Sequence, residues 1–407
     1  MNCRNCKKPL TSTFVDLGLS PFSNAYVTYE DLQKQERYYP LKVLVCDHCW
    51  LVQTSEYPKS EDLFTADYAY FSSTSKTWAE HTSKYYRHIK NLMGISSDSF
   101  VVEIGSNDGC LLKHFYQDDI PCLGIEPTLS TAKAAEGLGL TVLQEFFSEK
   151  LGSVIKQKYG LADLIIGNNV FAHVPDITDF TRGLKAALKP NGIVTLEFPH
   201  LMHLISKNQF DTIYHEHYSY LSLNVVNNIF NDFGLRIWNV EEIPTHGGSL
   251  RIYASHVENN DTVSCEVSKL MKKEISFGLQ NIDTYFAFQK KADKIRDKLV
   301  QFLRRLKGDG KSVAAYGAAA KGNTLLNYAG IKPDLLPYVC DASPSKQGKY
   351  LPGSHIPILE PSVLKKRQPD YVVILPWNIA VEVMEQNQEL ALSGTKFVTF
   401  VPDLVIV

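Results

Sequence analysis

The densest group of side chains able to do acid–base chemistry lies between residues 214 and 220, which read Tyr-His-Glu-His-Tyr-Ser-Tyr. A histidine with an ordinary pKa near 6.5 suits a general base at neutral pH, and tyrosine hydroxyls or a second histidine can stabilise a developing oxyanion. His215 and His217 cannot share a helical face, which excludes the H-E-x-x-H metalloprotease pattern. On an extended segment, they would lie on one side and Glu216 on the other. The run predicts either a proton-abstraction site or a hydrogen-bonded core turn.

A glycine turn follows a short apolar stretch, where residues 103–109 read Glu-Ile-Gly-Ser-Asn-Asp-Gly. Gly105 lets the backbone approach a ligand, and a helix N-terminus after the turn offers free N–H groups. The G-x3-G spacing lacks the central glycine of a dinucleotide fingerprint. Glu126 ends the next apolar stretch 21 residues later, where a carboxylate can accept two ribose hydroxyls. Asp108 adds a negative charge that suits a sulfonium cofactor, although a generic Rossmann-like turn remains the alternative.

Four of the eight cysteines form two C-x2-C pairs in the first fifty residues. Two such pairs can surround one tetrahedral Zn²⁺ with four thiolates. The competing interpretation is two disulfides, which a reducing compartment disfavours. We therefore expect one structural zinc ion. Its ligands would be Cys3, Cys6, Cys46 and Cys49.

Two further polar turns lie in the second half of the chain. Residues 316–324 read Tyr-Gly-Ala-Ala-Ala-Lys-Gly-Asn-Thr, a partial P-loop in which Asn323 stands where a Walker A motif has lysine. Lys321 and the small residues suit a diphosphate at a helix N-terminus, and close helix–strand packing is the alternative. His246 and Arg251 flank a Gly-Gly turn, either as substrate contacts or as a hairpin with a paired arginine.

Composition limits the class of protein. The 407 residues carry a net charge of −2, with 44% hydrophobic and 21% charged residues, which is ordinary globular usage. This balance argues against a nucleic-acid partner, and the absence of a long apolar run argues against a membrane partner. The N-terminus has no apolar signal region, so we expect a cytoplasmic protein. A monomer is expected.

The elements that must position these groups alternate between short apolar strands and helices, which predicts an α/β fold with parallel sheets. We predict a helix over 77–93, a long helix over 266–306, and strands that include 312–317, 334–341 and 371–375. The predicted domains are a zinc-binding domain over 1–75, a Rossmann-like domain over 76–254 and a second Rossmann-like α/β domain over 255–407.

The ordered motifs resemble those of a known family. The turn at residues 103–109 and the loop Asn168-Asn-Val-Phe-Ala-His173-Val-Pro-Asp176 look like those of class I S-adenosylmethionine-dependent methyltransferases. With the cysteine pairs, Tyr-His-Glu-His-Tyr-Ser-Tyr and Tyr-Gly-Ala-Ala-Ala-Lys-Gly-Asn, the whole chain resembles the nucleotide-sugar C-methyltransferases. Those enzymes methylate C3 of nucleotide-linked 4-keto deoxysugars.

The resemblance implies a role for each position. His217 would be the general base, with Tyr214 and Glu216 beside the sugar, His173 near the reacting face and Tyr68 closing the pocket, where Tyr70 is an alternative. S-adenosylmethionine would lie against Gly105, Asn107, Asp108, Glu126 and Asn168, and the nucleotide sugar against His246, Arg251, Lys321 and Asn323.

Three rival functions stay open at this point. The first is an NAD-dependent nucleotide-sugar oxidoreductase that uses both Rossmann-like domains. The second is a methyltransferase that acts on a keto substrate other than a sugar. The third is a zinc-bearing, non-enzymatic nucleotide-binding module, which would leave the His-Glu-His run without a purpose.

Overall fold

The computed structural model describes residues 1–55, 63 and 71–407, and three β-sheets run through this part of the chain. The predicted α/β class is confirmed. The first sheet is antiparallel and contains β1 (Ser12–Ser20), β2 (Tyr39–Val45) and β3 (Val52–Thr54). Its fourth strand, Ser219–Tyr220, comes from the distant segment that follows the His-Glu-His run. The zinc-binding region is therefore joined by backbone hydrogen bonds to the candidate catalytic segment.

The second sheet has seven strands, which are β4 (Val101–Ile104), β5 (Cys122–Ile125), β6 (Val142–Leu143), β7 (Ala162–Asn168), β8 (Leu188–Pro199), β10 (Leu235–Ile243) and β11 (Ser249–His256). The short β9 (Ser219–Tyr220) belongs to the first sheet. The order of the seven strands across the sheet is β10-β11-β8-β7-β4-β5-β6. Strands β4 to β8 are parallel, while β11 is antiparallel to both its neighbours. The order reverses beside β4, and open α/β sheets bind ligands at the carboxyl ends of strands at such a point.

Seven helices accompany this sheet in the described residues. They are α1 (Lys76–Met93), α2 (Leu112–Gln117), α3 (Leu129–Glu136), α4 (Glu149–Lys158), α5 (Ile177–Ala187), α6 (Leu201–Ser206) and α7 (Leu223–Asp232). Polar side chains begin several of them: Ser75, Ser148, Asp176 and Ser222 each accept a hydrogen bond from a first-turn amide. The predicted helix over 77–93 is confirmed as α1.

The expected long helix over 266–306 is wrong, because the segment forms three helices: α8 (Cys265–Phe277), α9 (Ile282–Phe286) and α10 (Phe288–Gly308). Gly278 ends α8 in the left-handed region at a φ of 98°, and Asn281 caps α9. Phe288 at the start of α10 stacks on Phe14 of β1, with ring centroids 4.6 Å apart. The break therefore seats this part of the chain against the first sheet.

The third sheet and its helices consist of β12 (Val313–Tyr316), α11 (Ala320–Tyr328), β13 (Val339–Cys340), β14 (Ile358–Leu359), α12 (Ser362–Arg367), β15 (Tyr371–Ile374), α13 (Ala380–Gln386), α14 (Gln388–Leu392), β16 (Lys396–Thr399) and β17 (Val405–Ile406). The strand order is β14-β13-β12-β15-β16-β17, and the sheet is parallel except for β17. The predicted strand over 334–341 shrinks to β13, since Pro337 cannot donate a ladder hydrogen bond.

The boundaries predicted at 75/76 and 254/255 stay predictions, and β11 continues to His256. One core cluster combines β1 and β2 with α6, α10 and the third sheet, while another fills the seven-stranded sheet. Within the described ranges, none of the helices is long and apolar enough to cross a membrane.

Candidate active site

The four paired cysteines converge at the start of the first sheet. The sulfur of Cys3 lies 3.5 Å from that of Cys49, and the sulfur of Cys6 lies 3.5 Å from that of Cys46. All four sulfurs lie within 4.8 Å of one another. Disulfide sulfurs would be about 2.05 Å apart, whereas four thiolates at about 2.3 Å from a central Zn²⁺ fit this spacing. The donor set fits a closed structural zinc site and leaves no position for substrate.

The His-Glu-His run forms a tight turn and not an extended segment. The amide of His217 donates to the carbonyl of Tyr214 over 3.0 Å, which brings the two rings to a centroid distance of 4.1 Å. The expected sharing of one face by the two histidines is wrong. His215 instead points away, where its ring contacts Phe22 and Tyr39 of the first sheet region. The turn thus separates one catalytic candidate from one packing histidine.

Hydrogen bonds fix the tautomer of His217. Its Nδ1 lies 2.8 Å from the carbonyl oxygen of Thr212, so Nδ1 carries the proton in the neutral ring. Its Nε2 then accepts from the Tyr214 hydroxyl over 2.9 Å. Burial and the neighbouring His173, His246 and Lys321 lower the pKa of His217 well below its usual value. The ring is therefore a neutral base, and the Nε2 lone pair is directed at the Tyr214 hydroxyl.

The backbone amide and carbonyl of Tyr218 hold the turn from opposite sides. The amide of Tyr218 donates to the carbonyl of Ala172, beside His173, over 2.8 Å. The carbonyl of Tyr218 accepts from Arg4, next to the cysteine cluster, and from the amide of Thr54. The His173 and His217 rings meet edge to face at 4.7 Å. Desolvation lowers the pKa of His173 to about 4, so it too is neutral.

Glu216 is oriented by a residue from the zinc-binding region. Its Oε1 accepts from Asn24 Nδ2 over 2.5 Å, a contact that spans 192 positions in sequence. The same loop is fastened to the third-sheet region, because the Tyr26 hydroxyl donates to the Ala318 carbonyl over 2.6 Å and Asn323 donates to the Ser23 carbonyl. This loop therefore reaches the candidate site and both flanking regions.

The glycine turn after β4 lies at the switch point of the seven-stranded sheet. Gly105 has a φ of 66°, and a Cβ there would lie 2.5 Å from the Val170 side chain, so only glycine fits. Asn107 also adopts a positive φ, and its side-chain oxygen accepts from the Ser72 amide. Glu126 follows β5, and its two carboxylate oxygens accept from the Asn107 and Thr128 amides. These contacts place the carboxylate against the turn.

Orphaned polar atoms show that this end of the cavity fits a polar cofactor. Asn168 lines the cavity, and its side-chain N and O are both buried with no hydrogen-bond partner in the described part of the chain. Asn169 has one such atom, Oδ1, while its Nδ2 contacts His246 Nε2 at 3.0 Å. Buried groups of this kind need a partner, and the carboxylate, hydroxyls and amine of S-adenosylmethionine supply both donors and acceptors.

One of the predicted cofactor contacts differs from the expectation. Asp108 does not line the cavity, because the turn directs its Oδ2 to the Ser73 amide at 2.9 Å. Its charge still lies near the turn, and together with burial it raises the pKa of Glu103 well above the usual range. Tyr68 and its alternative Tyr70 lie outside the described residues.

Lysines line the opposite end of the cavity. Lys321, in the first turn of α11, donates to Asn378 Oδ1 over 2.7 Å and lies 4.9 Å from the centre of the Trp377 ring. Lys346 also lines the cavity and lies 3.7 Å from Asp341 Oδ2. Burial lowers the pKa of Lys321, while the carboxyl of Asp211 opposes that shift. This wall suits an anionic group.

The remaining predicted substrate contacts divide into one that lines the cavity and two that do not. His246 lines it, at the tip of the hairpin between β10 and β11. Arg251 is buried and forms ion pairs with Glu197 and Glu241. It is therefore the paired arginine of a hairpin and not the substrate contact that we expected. Asn323 is fully buried against the Ser23 carbonyl and is likewise corrected to a loop anchor.

A single cavity of about 580 Å³ connects the glycine turn after β4, the His217 turn and the two lysines, and its size is typical of ligand sites. Among the predicted residues it is lined by Gly105, Asn107, Glu126, Asn168, His173, Tyr214, Glu216, His217, His246 and Lys321. Sequence reasoning missed Asn24, Trp78 and Phe146, which also line it. No local pattern marks Asn24, whereas the apolar Phe146-Phe147 pair, which directly precedes the helix-capping Ser148, was a usable signal.

Three family models together match most of the chain. They are described as a zinc binding domain (residues 3–64), a methyltransferase domain (78–240) and a C-methyltransferase C-terminal domain (244–402). The curated C-methyltransferase NovU of Streptomyces niveus is 33% identical over 401 residues, which cover 98% of this chain and 95% of that protein. The chain belongs to the C-methyltransferase family. It is an S-adenosylmethionine-dependent enzyme with an N-terminal zinc-binding domain.

Solved methyltransferase structures resemble this C-methyltransferase over less than half of its length. The magnesium protoporphyrin IX methyltransferase of Synechocystis PCC 6803, with bound S-adenosylmethionine, is 13% identical, with a TM-score of 0.34 over 44% of this chain and 79% of that one. A methyltransferase of Anabaena variabilis is 12% identical, with a TM-score of 0.36 over 43% and 84%. The family assignment rests on the full-length relative and not on these partial matches.

Proposed function

We propose that this C-methyltransferase methylates C3 of a nucleotide-linked 4-keto-6-deoxysugar. The observation that carries the proposal is the neutral His217, which has an unprotonated Nε2. It lines the same cavity as the glycine turn after β4 and the lysine wall, formed by Lys321 and Lys346. Methylation of oxygen or nitrogen requires far less acid–base equipment than methylation of carbon. The resemblance of the ordered motifs to nucleotide-sugar C-methyltransferases supplies the substrate class.

His217 would remove the C3 proton, which is acidic because it is α to the C4 ketone. Its Nε2 is the only ring atom with a lone pair, since Nδ1–H donates to Thr212. The electron pair of the broken C–H bond gives an enolate. The enolate oxygen can accept a hydrogen bond from the Tyr214 hydroxyl, which lies 2.9 Å from Nε2 in the structure. S-adenosylmethionine would supply the electrophilic methyl group. C3 of the enolate would form the new carbon–carbon bond as the sulfur–methyl bond breaks, with S-adenosylhomocysteine as the leaving group. The proton taken by His217 then leaves to solvent.

The charge of the cavity walls supports an anionic substrate that enters from the third-sheet side. Lys321 and Lys346 would contact the diphosphate, while Glu126 and Asn168 would contact the cofactor. His173 and His246 would flank the sugar; both are half-buried, and desolvation lowers the pKa of each to about 4, so both are neutral. Glu216 would contact a sugar hydroxyl from the orientation that Asn24 imposes. A base and a methyl donor on opposite ring faces would give inversion at C3.

A methyltransferase that acts on a smaller keto substrate is the second candidate. The lysine wall disfavours it, because an uncharged keto compound offers no anionic group for Lys321 and Lys346 to contact. An NAD-dependent oxidoreductase is disfavoured by the family assignment and by the missing central glycine of the β4 turn.

The test is a panel of 4-keto-6-deoxysugars linked to different nucleoside diphosphates, incubated with S-adenosylmethionine. We expect methyl transfer to C3 of at least one of them and, with S-adenosylhomocysteine instead, exchange of the C3 proton with solvent deuterium. The matched control is the free 4-keto sugar without nucleotide. Methylation of oxygen, or equal turnover of the free sugar, would overturn the proposed substrate class.

A further inference from the structure

A second group of metal-ligating side chains lies outside the cysteine cluster and the cavity. It consists of His200, at the start of α6, His203 in the first turn of that helix, and Glu242 on β10. One ligand atom from each lies within 4.8 Å of the others, and His203 Nε2 is 3.5 Å from Glu242 Oε2. Two imidazoles and a carboxylate are a donor set that Zn²⁺ accepts, with a further position left for water.

Glu274 prepares His200 as a ligand. Its Oε1 lies 2.8 Å from His200 Nε2, and both side chains are fully buried. Both carboxylate oxygens also accept hydrogen bonds from Leu223 and Asn224, so the carboxylate is held as an acceptor. Nε2 of a neutral His200 therefore carries the proton. A carboxylate that holds the far nitrogen of a metal-bound histidine is a recurring outer-shell arrangement, because it fixes the ring and its tautomer.

The other ring nitrogen of His200 has no such partner. His200 is 1% exposed, and its Nδ1 makes no hydrogen bond to any residue that the structure describes. A buried acceptor without a partner is costly, and a metal ion in the space between His200, His203 and Glu242 would satisfy it. We propose that His200, His203 and Glu242 form a second Zn²⁺ site, with Glu274 as the outer-shell partner of His200.

Lys273 now occupies part of this site. Its Nζ donates to both oxygens of Glu242, at 2.8 and 3.0 Å, but its side chain is 52% exposed. An exposed ion pair contributes little, so the lysine can turn into solvent when the ion binds. Lys273 therefore competes with the metal for Glu242, which makes it the natural control position.

The site lies next to the tip of the hairpin that carries His246, because Glu242 pairs with Leu250 beside the turn. The amide of His200 donates to the Gly248 carbonyl over 3.1 Å, and a Cβ on Gly248 would lie 2.1 Å from His203 Nδ1. A metal ion would cross-link α6 to β10 and hold the hairpin, together with the contacts of Lys207 and Gln209 to the Gly247 carbonyl. The site is thus a structural cross-link behind the cavity wall.

The experiment measures zinc per full-length chain by equilibrium dialysis. We expect two zinc ions in the wild-type chain and one in the double variant His203→Asn/Glu242→Gln, which keeps the four cysteines. In a Co²⁺ titration, the second equivalent should add d–d absorption without thiolate-to-metal charge transfer. The single variant His203→Asn should weaken the second site at least about 100-fold, more than loss of an outer-shell partner would.

Two controls separate this site from surface binding. Lys273→Ala should retain two zinc ions and bind the second more tightly, because the competing cation is gone. His88→Asn removes an exposed histidine that lies 3.6 Å from Glu241, and it should also retain two. One zinc ion in the wild-type chain at saturating Zn²⁺, or two in the double variant, would overturn the proposal. Cysteine thiolate absorption on the second Co²⁺ equivalent would do the same.

Discussion

The turn after β4 and the turn after β12 are built alike and carry opposite charges. Gly105 and Gly317 both have a positive φ, and both amides donate to the last carbonyl of the neighbouring strand, Ile125 at 2.8 Å and Cys340 at 2.7 Å. A Cβ would strike the loop after the other neighbouring strand in each case, 2.5 Å from Val170 or 2.4 Å from Pro376. The two turns therefore share the same backbone conformation and the same hydrogen-bond pattern.

The difference lies in the side chains around each turn. The first is surrounded by carboxyl groups, of which Glu126 lines the cavity. At the second turn, Asp341 takes the place of Glu126 and accepts a hydrogen bond from the Ala318 amide over 2.7 Å. Lys346 lies 3.7 Å from this carboxylate, and Lys321 lines the cavity beside it. One fold element can therefore serve a cationic ligand or an anionic one, according to the charges that neighbouring loops bring. The His217 turn lies in the cavity between the two.

The largest expected effect comes from removing the base between the two turns. We expect His217→Asn to lower turnover at least about 1,000-fold and to abolish exchange of the C3 proton, because general base catalysis contributes about 10²–10⁴-fold. Affinities for S-adenosylhomocysteine and for the nucleoside diphosphate should change less than about threefold, as measured by calorimetry. Persistent C3 exchange in this variant would move the base role to another residue.

The charge difference itself is tested by a pair of isosteric substitutions. Lys321→Gln should raise the KM for the nucleotide substrate about 10- to 100-fold and leave the KM for S-adenosylmethionine nearly unchanged. Glu126→Gln should raise the KM for S-adenosylmethionine and leave the KM for the nucleotide substrate nearly unchanged, because it weakens only the contact with the cationic cofactor. Steady-state kinetics with each substrate varied in turn separates the two. A shared rise of both KM values in either variant would show that the turns do not act independently.

The parts of this site that follow from local spacing could be predicted from the sequence. Two C-x2-C pairs imply a sulfur cluster, and motifs at the ends of parallel strands meet at one sheet edge. Contacts across the chain could not be predicted: Asn24 meets Glu216 across 192 positions. Arg251 was misassigned because its buried partner Glu197 lies on another strand and gives no local signal. The His217 turn was misread because alternation assumes an extended backbone, whereas the His217 amide closes a turn.

Asn24 tests whether the zinc-binding region positions the site between the two turns. Asn24→Ala leaves Glu216 without the donor that orients it, so we expect kcat to fall about 5- to 20-fold with little change in either KM. Asn24→Asp should lower kcat further, because it places a like charge beside Glu216. Ser23→Ala, in the same loop, is the matched control and should stay within about twofold. A purely structural role would instead lower thermal stability and follow side-chain size.

The smallest expected effect is on the pH profile of the base. Burial lowers the pKa of His217 well below 6.5, and the nearby His173, His246 and Lys321 act in the same direction. A lowered pKa means that the base form persists as the pH falls, so C3 exchange should stay within about twofold between pH 7.5 and 6.0. For an ordinary histidine of pKa 6.5, the neutral fraction would fall about fourfold over that range.

Solvent deuterium incorporation at saturating substrate, with S-adenosylhomocysteine bound, measures the exchange rate directly. His173→Gln serves as the comparison because it removes one neighbouring ring. A fourfold fall in the wild-type enzyme would mean that His217 is solvated during catalysis, and the cavity between the two turns would then be open to water.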